Sequence, residues 1–399
     1  MLFAGAALIA GMSACTSTEA KIEKELQQVI ETNKCVGLSV AVVKDNKIIY
    51  TKCFGLKDLE NNVALGEDDI FRIASISKSF TATSIMQMVE QGKLSLDQDV
   101  SELVGFKVRN PKFPDDTITV RMLLSHSSSM SDNNGYFSLN KINPDSTETI
   151  EQAWNDWKPG TKYDYCNLGY NTLGTILERV SGERFDKYVP EHVLAPLGLT
   201  GFGYNVNELD SSRFVRLYEY DGTTDSYTWS PEAYDPRTEQ IANYQFGVST
   251  PIFSPTGGMK INAKNLARVM IMHMNYGKGL VENEDGTVSE VRIIDSLSAA
   301  QMQATTIWPA DNEQTGYGFA LEQTTNLVEG VQTVGHTGSA YGVFTSMFWN
   351  EERNFGVVVM CNGCNERRDH DFMSIHRDVN AVMYKYFNPI PEATEPDKE

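Results

Sequence analysis

Phe71-Arg-Ile-Ala-Ser-Ile-Ser-Lys-Ser-Phe-Thr-Ala-Thr-Ser-Ile-Met-Gln-Met-Val-Glu90 is the stretch on which the fold and function of this chain turn. Ile76, Phe80, Ile85, Met88 and Val89 recur at roughly helical spacing, and Gly92 supplies a stop. A strand-like run precedes them, so Ser75 is expected at the mouth of a helix, where unpaired N–H groups and the helix dipole favour developing negative charge. Residues three apart share a helix face, which sets the Lys78 amine beside the Ser75 hydroxyl. A desolvated amine in that position can take the hydroxyl proton. A Ser three residues before a Lys also arises by chance about once or twice in a chain of this length. The remaining sequence has to decide between the two readings.

Outward from this helix, strands cluster toward both ends of the chain. Val36–Val43 and Ile48–Phe54 alternate around Lys44-Asp-Asn-Lys47 as a hairpin, and Ala20–Thr32 before them is an amphipathic helix. Near the C-terminus, Thr315–Leu321, Gln332–Gly338, Phe344–Trp349 and Phe355–Cys361 read as strands, followed by a helix over Phe372–Phe387. Between them, Ile118–His126 starts a helix, Pro159-Gly160 leads into a helix opened by Tyr165-Cys166-Asn167 and closed by Gly182, and Ala263–His273 is helical. A Tyr-, Asp- and Pro-rich segment from Gly201 to Phe246, with a turn at Asp221-Gly222, has the character of a pocket wall. The expected fold is α+β: one antiparallel sheet built from both chain ends, flanked by the terminal helices, with a mostly helical insertion. The expected division is a leader and linker over 1–19, one domain over 20–388 (sheet part 20–80 and 247–388, helical part 81–246) and a disordered acidic tail over 389–399.

The 399 residues carry a net charge of -19, which argues against nucleic acid and anionic membrane surfaces as partners. Leu2–Ala14 is uncharged, and too short to span a bilayer as a helix. It fits the apolar part of an export signal. Met12-Ser13-Ala14-Cys15 resembles a bacterial lipobox, which implies lipidation at Cys15, a periplasmic or cell-envelope location and membrane contact only through that anchor. No positively charged residue precedes the apolar run, which departs from the usual signal. Cys35 and Cys53 flank the hairpin and could pair; Cys361 and Cys364 could pair locally or stay free. Cys361-x-x-Cys364 with His370 and His376 has a loose likeness to a zinc pattern. Two histidines six apart on a helix point in different directions, however, so no metal and no cofactor is expected.

Three stretches then fall in order: Ser75-x-x-Lys78, Tyr165-Cys-Asn167 and His336-Thr-Gly338. With Ile118-Thr-Val-Arg-Met-Leu-Leu-Ser-His-Ser127, Leu173-Gly-Thr-Ile-Leu-Glu178, Pro196-Leu-Gly-Leu199 and Ser254-Pro-Thr-Gly-Gly258, the set resembles the serine β-lactamase-like family. That family includes class C β-lactamases, D-Ala-D-Ala carboxypeptidases, D-aminopeptidases and related esterases, and the resemblance covers roughly Lys24 to Phe387. It implies Ser75 as nucleophile, with Lys78 and Tyr165 as a proton-transfer pair in which a neighbouring ammonium lowers the phenol pKa. It implies that Tyr165 protonates the leaving group and activates the deacylating water. It implies Asn167 on the Lys78 amine and the substrate, the His336-Thr337-Gly338 strand along the substrate, and an oxyanion hole made by the N–H groups of Ser75 and Ser339.

Two departures bear on substrate. Class C enzymes carry a Lys where this chain has His336, so efficient β-lactam turnover is not expected. Cys166 occupies a position usually held by a small residue. His126 is expected to hold a loop by hydrogen bonds, and Gly257 and Gly258 to permit close backbone approach. The expected activity is a serine hydrolase acting on ester, amide or D-amino-acid peptide bonds of a small-molecule or peptide substrate. The alternative is a non-catalytic descendant that binds cell-wall peptide or a protein partner.

Overall fold

The structure is a computed structural model. It describes residues 5–283, 285–310, 314–350, 352 and 354–390, with side chains from residue 18 onward. The Cys15 side chain and residues 391–399 of the expected tail lie outside the described residues.

Helix α1 (Gly5–Asn33) leads into strands β1 (Gly37–Lys44) and β2 (Lys47–Asp58). Asp45 and Asn46 between them take φ of 49° and 61°, the left-handed pair that a two-residue hairpin turn requires. A short strand β3 (Val63–Ala64) follows; β4 (Tyr218–Asp221) and β5 (Ser226–Trp229) form a separate hairpin at the Asp221-Gly222 turn. The C-terminal part adds β6 (Thr315–Tyr317), β7 (Glu322–Thr324), β8 (Thr333–Ala340), β9 (Val343–Asn350) and β10 (Phe355–Cys361). The eight-stranded sheet runs β6-β7-β8-β9-β10-β1-β2-β3, antiparallel throughout. Val40 of β1 faces Val359 of β10 on one side and Lys52 of β2 on the other, so both chain ends close one sheet, as expected.

Alternation along β1 assigns its two faces. Leu38, Val40 and Val42 pack with Ile22, Leu26 and Ile30 of α1 and with Val379 and Met383 of the C-terminal helix (Ser374–Phe387). Ala41 and Val43 face the other way, into a core shared with Val269 and Met270 of the helix Ala263–Met274. Each such aliphatic side chain contributes about 1.5–3 kcal/mol by leaving water.

Helix α2 (Ser77–Glu90) lies within this second core and is buried from Ser77 to Met88. Burial on every side explains why its apolar spacing is only roughly periodic in the sequence. Its polar residues satisfy themselves: Ser79, Thr83 and Ser84 donate to the carbonyls of Ile76, Ser79 and Phe80 at 2.8–2.9 Å. Helix α3 (Asn167–Ser181) ends at Gly182, whose φ is 80°.

Two expectations are corrected, and two elements are added. The strand expected over Thr315–Leu321 stops at Tyr317, because the Gly318 N–H turns back to the Leu321 carbonyl at 2.8 Å. The hairpin Lys278–Glu282/Val288–Arg292 and the helix Ser296–Gln303 were not expected from the sequence. Cys53 does not meet Cys35: its sulfur is 3.4 Å from the Ser39 hydroxyl, while Cys35 lies with Cys361 and Cys364.

Candidate active site

Ser75 stands where a two-residue strand, Phe71–Arg72, gives way to a tight turn, Ala74–Ile76, that runs into α2. That strand is held by pairing with Lys260–Ile261, and the Ile73 N–H bonds the Met259 carbonyl at 3.0 Å. Ala74 has φ of 45°, a left-handed conformation costing a non-glycine residue about 1 kcal/mol or more. The turn presents the half-buried Ser75 to a cleft while Lys78 is wholly enclosed.

The Lys78 amine lies 3.2 Å from Ser75 Oγ, 2.8 Å from Asn167 Oδ1 and 2.9 Å from the Thr256 carbonyl. Burial lowers its pKa to about 7, against an opposing pull from the Asp132 carboxylate. A neutral amine has two N–H groups and one lone pair. The amide oxygen and the carbonyl accept the two hydrogens, which directs the lone pair at the serine hydroxyl.

Asn167 is itself held at both ends. Its Nδ2 donates to Asp132 Oδ2 at 2.8 Å, so its Oδ1 must face Lys78; the Thr256 hydroxyl also donates to Oδ1, at 2.6 Å. Asp132 further accepts the backbone N–H groups of Asn167 and Leu168, each at 2.9 Å. It thereby serves the free donors of the first turn of α3 from outside the helix. The Cys166 thiol leans on the same carboxylate at 3.4 Å. His126 holds the loop as expected: its Nδ1 accepts the Cys166 N–H at 3.0 Å and its carbonyl accepts the Asp164 N–H at 2.9 Å.

The Tyr165 ring packs 4.3 Å from the His126 ring, and Lys78 Nζ lies 4.6 Å from its centroid. Among the described residues the buried phenol oxygen has no hydrogen-bond partner of normal geometry. Burial pushes its pKa well up, and the nearby Ser75 hydroxyl offsets this only in part. The expectation of a lowered phenol pKa is therefore reversed. The amine that was to lower it is itself desolvated, so Tyr165 keeps its proton and Lys78 is the more readily deprotonated of the two.

Beyond Gly335, strand β8 keeps β9 on one side, while β7 pairs only as far as Gly335. Its free edge runs past Ser75. A methyl group added at Gly338 would stand 2.3 Å from the Ile73 carbonyl and 3.1 Å from the Ser75 nitrogen, so only glycine allows this approach. Thr337 is half-buried and Ser339 is exposed at the cleft. His336 behaves otherwise than expected of a group facing substrate. It is buried, its Nδ1 donates to the Thr337 carbonyl, and its Nε2 therefore accepts the Tyr317 hydroxyl at 3.0 Å. Burial, then the charge on Lys78, lowers its pKa to about 3, so the ring is neutral.

The cleft has a volume of about 370 Å³. Besides Ser75, Asn167, Thr256 and Ser339, its walls include Tyr136, Phe137, Tyr341 and Glu219. Arg72 also borders it, but its guanidinium donates to the Gly257 and Ala233 carbonyls at 2.9 Å and lies over the Tyr341 ring. Gly258, unlike Gly257, is required by close packing: a Cβ there would meet the Phe253 carbonyl at 2.1 Å.

The structure thus brings Ser75, Lys78, Tyr165, Asn167, Gly338 and Ser339 to one place and turns His336 inward. Sequence reasoning missed Asp132, Tyr317 and Glu219. An acid placed within a Ser-Asp-Asn run signals a cap, but nothing local shows that the capped helix lies 35 residues downstream. Glu219 fell within the segment expected to form a pocket wall.

Comparison with known proteins agrees with this fold. A family model described as Beta-lactamase matches residues 21–379. Protein flp of Staphylococcus aureus (strain MRSA252) is 28% identical over 212 residues, which are 52% of this chain and 42% of that protein, so the match spans less than half of this relative. EstCE1, described as a hydrolase with promiscuous acyltransferase activity, superposes with a TM-score of 0.70 at 20% identity, covering 93% of this chain and 99% of that one. The D-amino acid amidase of Ochrobactrum anthropi SV3, complexed with L-phenylalanine amide, gives 0.69 at 20% identity, covering 93% and 97%. These two likenesses establish the fold. With the match over nearly the whole chain, the ordered motifs and the sheet closed by both termini, this chain belongs to the beta-lactamase family, the serine β-lactamase/transpeptidase-like hydrolases.

Proposed function

We propose that the protein is a serine hydrolase that forms an acyl-enzyme on Ser75, with esters and amides of small acyl groups, D-amino acid amides among them, as substrates. The observation that carries this reading is the Lys78 amine, buried, with its pKa near 7 and its lone pair directed at Ser75. As Ser75 Oγ attacks the carbonyl carbon, its proton passes to Lys78. The resulting ammonium keeps Asn167 Oδ1 and the Thr256 carbonyl as acceptors, with the Asp132 charge behind them. The developing oxyanion takes the N–H groups of Ser75 and Ser339, donors worth about 3–4 kcal/mol each in acyl transfer. Tyr165, neutral, gives its proton to the departing oxygen or nitrogen and is reprotonated from Lys78. Water then reverses the sequence and frees the acid.

The cleft walls support neutral or amine-bearing substrates over carboxylates. Glu219 contributes a negative charge, Arg72 is engaged with carbonyls, and His336 is neutral with both ring nitrogens bonded. A β-lactam or a peptide ending in a carboxylate would meet no free cation among these described residues. The test is a panel of p-nitrophenyl esters, D-amino acid amides, D-Ala-D-Ala peptides and nitrocefin, run with the wild type and Ser75→Ala. Ester and amide turnover that vanishes in Ser75→Ala, with nitrocefin slow or inert, is the expected result. Inactivity on every substrate would instead support a peptide-binding descendant. The reading of residues 1–19 as an export leader lipidated at Cys15 belongs to the same proposal, and the intact mass of the mature N-terminus tests it.

A further inference from the structure

On the sheet face turned toward α1, three segments each deliver a thiol to one point. Cys35 follows the end of α1, Cys361 ends β10, and Cys364 lies in the loop that leaves it. Their sulfur atoms lie within 4.8 Å of one another. Cys361 and Cys364 are fully buried and Cys35 partly so, among the side chains of the core between the sheet and the terminal helices.

The frame that holds them is rigid. The Val36 N–H bonds the Gly363 carbonyl and the Asn365 N–H bonds the Asn33 carbonyl, both at 2.9 Å, so the segment carrying Cys35 is tied on both sides to the loop carrying Cys364. Asn362, between the other two cysteines, donates through Nδ2 to the Arg216 and Leu56 carbonyls at 2.8 and 3.1 Å. The Tyr227 hydroxyl of the β4–β5 hairpin donates to the Lys34 carbonyl and closes the outer side.

We infer that Cys35, Cys361 and Cys364 form a binding site for one thiophilic cation, Zn²⁺ or Cu⁺, held by three thiolates. Sulfurs bonded to one such ion at about 2.3 Å sit roughly 3.8–4.0 Å apart, so the trio needs to contract by less than about an ångström. Thiolate donors select these soft ions over magnesium or calcium. Binding displaces the three thiol protons to solvent and clamps the end of α1 to the end of β10, which stabilises the sheet where the two chain ends meet. The CxxC pair found in the sequence thus takes its third donor from Cys35, some 330 residues earlier by the numbering, and not from His370 or His376. This revises the expectation that the chain holds no metal, and it concerns a site separate from the cleft at Ser75.

The test uses the full chain, reduced and handled without oxygen, with Zn²⁺ alone in one arm and Cu⁺ alone in the other. Metal retained through gel filtration, protons released and Tm are measured for the wild type, Cys35→Ser, Cys364→Ser and Cys53→Ser. The wild type and Cys53→Ser are expected to retain roughly one ion per chain, with a Tm higher by a few degrees. Cys364→Ser and Cys35→Ser are expected to bind at least about tenfold more weakly. Three results would overturn the inference: no retention in either arm, retention unchanged in both trio variants, or a disulfide within the trio that forms in preference to metal binding when the reduced chain and one equivalent of Zn²⁺ are exposed to air.

Discussion

Replacing Lys78 by Met, which keeps the volume and removes the charge, isolates the property on which the proposed chemistry rests. The amine is fully enclosed and its pKa falls from 10.5 to about 7. That shift corresponds to about 5 kcal/mol of native-state cost for carrying the charge. Met would strand one acceptor, the Thr256 carbonyl; Asn167 Oδ1 keeps the Thr256 hydroxyl and the half-buried Ser75 can turn to water. An unsatisfied buried acceptor costs about 1–3 kcal/mol. The balance predicts that Lys78→Met is inactive yet more stable than wild type by about 2–4 kcal/mol at pH 6–7. The sign of its pH dependence follows from proton counting. Between about pH 7 and 10.5 the unfolded chain binds a proton at this lysine that the folded chain does not, so wild-type stability rises with pH. The variant lacks that rise, and its advantage should shrink by about 1.4 kcal/mol per pH unit across the window and then reverse. Urea unfolding of both proteins from pH 6 to 10 measures this. A stability difference that stays flat with pH, or a Met variant less stable than wild type at pH 6, would mean that Lys78 remains an ordinary ammonium and would refute the reasoning.

Other expectations follow from the same geometry. In the wild type, kcat/KM should rise with pH through about 7 as Lys78 loses its proton, and the same limb should persist in His336→Gln, since His336 is neutral throughout; a limb that disappears in His336→Gln would reassign the base. Asp132→Ala removes the acceptor of two backbone N–H groups and the orienting contact to Asn167, so urea unfolding should show a loss of about 1–2 kcal/mol and steady-state assays a fall of about a hundredfold in kcat. Gly338→Ala would push the strand edge off Ser75, and ester hydrolysis should fall by about 10²–10³ in kcat with little change in KM.

The sheet and the serine–lysine pair were legible in the sequence because each depends on local pattern. Val36–Val43, apolar but for Ser39, and Phe355–Cys361 carry the pattern of buried strands, and the spacing of Ser75 and Lys78 fixes their contact wherever the helix goes. Asp132 was not legible, because its role depends on a helix terminus brought to it by the fold. The direction of the Tyr165 shift was misjudged for a related reason. From sequence, a lysine counts as a charge, whereas the folded chain desolvates it. His336 likewise reads as one residue of a strand; only the Tyr317 hydroxyl on the neighbouring part of the sheet shows that its ring is neutral and committed. The cysteine trio joins residues from opposite ends of the chain, and no spacing rule connects them.

The central claim is that the Ser75 hydroxyl, relieved of its proton by Lys78, becomes acylated. Rapid acid quench of the wild type with an activated ester, followed by intact-mass and peptide mapping, tests this most directly. A single acyl group on the peptide carrying Ser75, absent in Ser75→Ala and slow to form in Lys78→Met, is the predicted result. Acylation mapped to another residue, or ester hydrolysis undiminished in Ser75→Ala, would contradict the account.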